Sequence, residues 1–114
     1  MKRSEIKVFI SRKQARRHEQ YRRIPPAVLD AIYRFVEDGL MPGDLVCAVM
    51  ANDLAGAITH ADSHVDCLDA LVAFVHNRIP TICYKINGVP SRKAMQRWAR
   101  WCAQNRENID PDET

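Results

Sequence analysis

Apolar positions recur at helical spacing in three stretches of this 114-residue chain. Val28, Leu29, Ile32, Phe35 and Val36 fall on one face and predict a helix over about 26–38. Pro25-Pro26 opens it, because proline is accepted in a first helical turn and excluded from the interior. Gly39 supplies a left-handed residue to end it, with Leu40 placed to fold back on its last turn. Val65, Leu68, Leu71, Val72 and Val75 predict a second helix over about 63–78, capped by Asp62 or Ser63 and stopped by Pro80. Met95, Trp98, Trp101 and Cys102 form the apolar stripe of a third, about 91–106, with Ser91 as its cap. Between the first two, Leu45 to Met50 is too uniformly apolar for a surface helix and predicts a short buried one, about 43–51. Asp53 can cap a further short helix through Leu54, Ala57 and Ile58 to His60. With links this short the helices must pack as a compact bundle.

Two runs break the helical period. Ile6 to Ile10 suits a strand or a docked extended segment, and Thr81 to Ile86 has the strongest strand composition in the chain, followed by an Asn87-Gly88 turn. A lone strand is not stable, so pairing 6–10 with 81–86 would add a minor two-stranded β element and clip the N-terminal segment onto the bundle. Ser11 can cap the SRKQARRHEQYRR stretch as a helix, but that helix would have almost no apolar face to bury. The fold class expected is mainly α: about five helices in a bundle with this possible β element.

Charge divides the same chain into blocks. Residues 1–23 hold nine Lys/Arg against Glu5 and Glu19, a balance of +7, while 24–90 stands at −5. Residues 91–106 carry five basic and no acidic side chains, and 107–114 carry four acidic ones. The organisation expected is a basic N-terminal arm (1–23), a helical domain (24–106) and an acidic tail (107–114). Segregated charge is a statement about partners rather than fold. At 46% hydrophobic residues the chain can bury one compact core and has no room for a second. No run reaches the roughly 18 apolar residues of a membrane span, and no secretory leader is evident at the start. A soluble, cytoplasmic protein is the expectation. Cys47, Cys67, Cys83 and Cys102 include no C-x-x-C pair and read as reduced core thiols.

Ile24-Pro25, Leu29, Tyr33, Gly39, Pro42-Gly43, Ala48-Val49, Asn52-Asp53-Leu54, Ala61-Asp62, and Asn77 with Pro80 together form a recurrent pattern over about 24–84. In these positions the chain resembles small phage and prophage proteins whose core reads IP…L..Y…G..PG…AV..NDL..A…AD. The end of the family pattern appears here as Cys83-Tyr84, followed by a different, longer turn. The resemblance implies a phage or mobile-element origin. It implies no reaction, because it carries no catalytic residues, and the two basic segments lie outside the matching core.

The candidate chemistry is sparse. His60 and His64, four apart in HADSHVDC, are the weak candidates for a metal pair, but the Asp62-Ser63 cap should break helical phase between them, so no metal is expected. None of the four serines sits in a nucleophile-elbow setting, and four glycines form no phosphate loop, so the expectation is a non-enzyme without cofactor. The basic arm is the strongest signal: Arg12, Lys13, Arg16, Arg17, Arg22 and Arg23 can engage phosphates, with Tyr21 to stack on a base. The opposing reading is a solvated basic helix neutralised by the acidic 24–90 surface. Arg92, Lys93, Arg97 and Arg100 would extend the positive surface, with Trp98 and Trp101 as core anchors.

Three functions fit this layout. The first is a phage accessory protein that binds and inhibits or redirects a host nucleic-acid machine, such as a defence or replication complex, inside the host cytoplasm. The second is a regulator that binds DNA or RNA directly through the arm. The third is sequestration of a signalling nucleotide, which would need an oligomeric pocket. None requires a membrane.

Overall fold

The computed structural model describes residues 5–61 and 66–105. Its described helices run Arg12–Arg17 (α1), Pro26–Asp38 (α2), Asp44–Met50 (α3), Leu54–Ala61 (α4), Leu68–Arg78 (α5) and Arg92–Gln104 (α6). A 3-10 turn, Thr81–Cys83, and a hairpin of β1 (Lys85–Ile86) and β2 (Val89–Pro90) stand between α5 and α6. The chain is thus a mainly α bundle with a minor two-stranded element.

Helix α3 is the centre. All six side chains from Leu45 to Met50 are buried, and α4, α5 and α6 pack against it. A helix buried all round needs apolar residues all round, which is why this segment shows no polar stripe. Asn52, at φ 58°, turns the chain after α3, and Asp53 Oδ1 accepts from the Gly56 amide at 3.0 Å to start α4. The Asp62/Ser63 cap expected for the next helix lies outside the described residues, and α5 begins later than the expected 63, at Leu68 after Cys67, which makes no side-chain cap bond. Within α5, Ala70, Leu71, Phe74 and Val75 are buried, while Val72 is left 42% exposed.

Gly39 fixes how α2 meets α6. At φ 72° it donates to the Phe35 carbonyl at 2.9 Å, and a Cβ there would collide with Cys102 Cβ and crowd the Ala99 carbonyl. Trp98 completes the contact: its ring is buried and its indole N–H donates to the Phe35 carbonyl at 3.0 Å. Leu40 does not fold back into the core and stays 48% exposed.

The β element differs in its pairing from the sequence expectation. β1 pairs antiparallel with β2, Lys85 opposite Pro90 and Ile86 opposite Val89, across Asn87 and Gly88, both at positive φ. A two-residue turn of this kind matches strand twist, and closing it costs far less chain entropy than joining 81–86 to residues some seventy positions away. Thr81–Cys83 is not strand: after Pro80 it closes into the 3-10 turn and buries Cys83. Residues 6–10 take the other form considered, a docked extended segment. Ile6 and Val8 are buried, Lys7 and Phe9 exposed, and the Phe9 amide donates to the Arg78 carbonyl at 2.8 Å.

All four cysteines are buried thiols. Burial pushes the Cys47, Cys67 and Cys83 thiols up, Cys83 furthest, with Cys102 beside it adding to the effect. They behave as small hydrophobes of the core. No helix among the described residues is long and apolar enough to cross a membrane.

Candidate partner-binding surface

Helix α1 sorts its residues onto three faces. Ser11 caps it, accepting from the Gln14 amide at 3.1 Å while Gln14 returns a bond to the Ser11 amide. Ala15 is wholly buried and seats the helix on α2. Arg12 and Arg16, one turn apart, lie over the acidic face of α2: Arg16 pairs with Asp30 at 3.1 Å, and Arg12 reaches Asp30 at 3.4 Å and Glu37 at 3.5 Å. Arg12 also lies over the Tyr33 ring, 5.1 Å from its centroid. Lys13 and Arg17, again one turn apart and half a turn from Ala15, are exposed and make no ion pair among the described residues.

The turn after α1 points its aromatic residue inward. Tyr21 is 1% exposed, edge-on to Phe74 at 5.0 Å, stacked on His18 at 4.5 Å and covered by the Arg78 guanidinium, whose Nε–H donates to its hydroxyl at 3.1 Å. It therefore offers no free face to a base, contrary to its assignment as a stacking residue, because an aromatic ring gains more from the core than from water. Arg23 is held by Asp69 at 2.6 Å and by the Asp66 carbonyl at 3.1 Å, which keeps the exposed Asp69 carboxyl below its ordinary range. Arg22 stays exposed and makes no ion pair among the described residues. Of the six arm cations proposed for a partner, three are engaged by the chain's own acidic groups and three face outward.

Between α2 and the chain from Lys7 into the first turn of α1 lies a groove of about 620 Å³, walled by Lys7, Phe9, Arg12, Gln14, Tyr33 and Glu37. The Tyr33 hydroxyl donates to the Ile10 carbonyl at 2.6 Å, and burial, outweighing the Arg12 cation, raises its pKa to about 12. Tyr33, Arg12, Ser11 and Gln14 in this groove are bonded to the chain itself, while Lys7, also in its wall, is exposed. Phe9 stands 58% exposed at its rim.

Helix α6 is the contrast. Arg92, Lys93 and Arg100 are exposed and make no ion pair among the described residues. Arg97 donates to the Lys85 carbonyl at 2.8 Å and more weakly to the Ile82 carbonyl at 3.4 Å, tying the hairpin to the helix. Trp98 and Trp101 stack with centroids 5.0 Å apart, the first in the core and the second only partly buried.

His60 is exposed on α4, sharing a cleft of about 270 Å³ with Asp44, and His64 lies outside the described residues. No group of three His, Cys, Asp or Glu able to hold a metal occurs among the described residues. Sequence reasoning missed Arg78, Asp30, Glu37 and Tyr33 as the groups that dock the arm. A signal existed: Asp30 and Glu37 share one face of α2 two turns apart, and Arg12 and Arg16 share one face of α1 one turn apart.

No family model matches the chain, and neither the curated proteins nor the solved structures hold a match to it.

Proposed function

We propose that the chain is a non-catalytic binding protein whose partner is another protein. The observation that carries this reading is the internal commitment of the arm: Arg12, Arg16 and Arg23 are paired with Asp30, Glu37 and Asp69, and Tyr21 is in the core. A backbone-tracking nucleic-acid site needs free cations interleaved with exposed aromatic faces. Protein recognition instead uses apolar and aromatic anchors ringed by charge. Phe9 and Trp101, each beside arginine, have that character. The phage-like pattern over 24–84 supports a component of a host nucleic-acid machine, in the host cytoplasm, as the partner that is inhibited or redirected.

The experiment is retention from a nuclease-treated bacterial lysate on the immobilised chain. One stoichiometric protein should be held after nuclease treatment. Retention of nucleic acid alone, or loss of every retained protein on nuclease treatment, would overturn the reading. Direct nucleic-acid binding is the second reading, favoured by the exposed Lys13, Arg17 and Arg22, which make no ion pair among the described residues.

A further inference from the structure

Trp98, Trp101, Arg97 and Ile82 enclose a cleft of about 180 Å³. That is below the roughly 300–1,000 Å³ of small-molecule and cofactor sites, and suits one large side chain. Its walls are rigid for identifiable reasons. Trp98 is anchored through its indole N–H to the Phe35 carbonyl, Trp101 is stacked on it, and Arg97 is tied to the Lys85 and Ile82 carbonyls. A rigid aromatic and arginine-lined recess loses little conformational entropy on binding, which is the usual character of an interface hot spot. The helix that carries it is basic: α6 bears Arg92, Lys93, Arg97 and Arg100 and no carboxylate, and Arg92, Lys93 and Arg100 lack ion pairs among the described residues.

We infer that this cleft receives a single large apolar side chain from an acidic peptide segment of the partner protein. The inference rests on the protein-partner reading above and names where on the chain that partner docks. The aromatic walls take the anchor, while Arg97 and Arg100 attract the flanking carboxylates. Charge steers the approach, and the anchor sets the residence time.

The test uses the full chain and a short synthetic peptide with one Phe flanked on both sides by Asp and Glu, followed by tryptophan fluorescence. Binding is expected with a Kd of order 10–100 μM at low salt, weakening as salt rises. Replacing the peptide Phe by Ala, or Trp101→Ala in the protein, should weaken it tenfold or more with the circular dichroism spectrum unchanged. Should Trp101→Ala disturb the fold, Arg100→Glu reverses an exposed charge without touching the core and should weaken binding about fivefold. Equal affinity for the Phe and Ala peptides would overturn the inference. So would a Trp101-dependent dimer in sedimentation, which assigns the cleft to a second copy, or tenfold tighter peptide binding by a chain ending at Arg106, which assigns it to residues 107–114. Failure of the peptide with a lysate protein still retained removes this cleft and leaves the protein-partner reading. Loss of the lysate protein with peptide binding intact does the reverse.

Discussion

In the segment 11–23, Arg12, Arg16 and Arg23 reach carboxylates of α2 and α5 and the one aromatic ring is buried, whereas in α6 Arg92, Lys93 and Arg100 face solvent. Both segments are strongly basic and contain aromatic residues, so composition treats them alike. Packing separates them. The arm lies across an acidic helix face that neutralises it, and its charge helps to hold 6–24 against the bundle. Helix α6 turns its apolar stripe inward onto Phe35 and Gly39, and among the described residues no ion pair meets Arg92, Lys93 or Arg100 on its outer face. Positive charge in a sequence becomes positive charge available to a partner only where the fold leaves it unmatched.

The largest effect that sharpens this contrast lies within α6 itself. Trp98→Ala should cost about 3–5 kcal/mol in urea unfolding, because it empties a buried site and removes an indole donor, while Trp101→Ala should cost less than about half as much. Equal losses would mean that Trp101 is core and the cleft beside it is closed. Next, Gly39→Ala should cost about 2–3 kcal/mol, through left-handed strain and the collision with Cys102 at the α2–α6 contact. A neutral result would show that α6 is not seated on α2 as described.

Tyr33→Phe probes the docking of the N-terminal segment. It leaves the Ile10 carbonyl without its hydroxyl donor and should cost about 1 kcal/mol. The tyrosine pKa is about 12 when folded against an ordinary 10.0, so the folded state holds this proton more tightly. Its stabilising effect is complete below pH 10 and falls as pH rises from 10 towards 12. The variant should therefore lose less stability over that interval than the parent; an identical alkaline profile would remove Tyr33 as the clamp. Smaller still, Arg12→Ala with Arg16→Ala should lower stability by about 0.2–1 kcal/mol for each exposed pair lost, and Lys13→Ala with Arg17→Ala should stay within about 0.5 kcal/mol of the parent. Reversed magnitudes would break the division of α1 into inward and outward cations.

Helices α2, α3, α4 and α6 were legible because each announces itself locally, whereas α5 begins at Leu68, later than its apolar spacing implied. Pro26 and Gly39 bracket α2, Asp53 and Ser91 cap α4 and α6, and the unbroken apolar run of α3 marks the centre. What escaped the sequence was tertiary. The pairing of β1 was decided by the Asn87-Gly88 turn, a stronger local solution than the distant Val8–Ile10 segment. Tyr21 looked like a stacking residue because its neighbours in sequence are polar, yet its neighbours in space are Phe74 and Arg78. The cleft at Trp101 depends on Ile82 arriving from another element, and no spacing along α6 encodes it.

The most direct test of the central claim is a fluorescence titration of a labelled DNA duplex and a labelled single strand with the full chain across salt concentrations. The account predicts no saturable complex at about 150 mM salt, because Arg12, Arg16 and Arg23 are held by the chain's own carboxylates instead of releasing counterions from a phosphate backbone. A saturable complex at that salt, with a log–log slope of about −3 or steeper that is lost in Lys13→Ala/Arg17→Ala/Arg22→Ala, would contradict it and make the arm a nucleic-acid site.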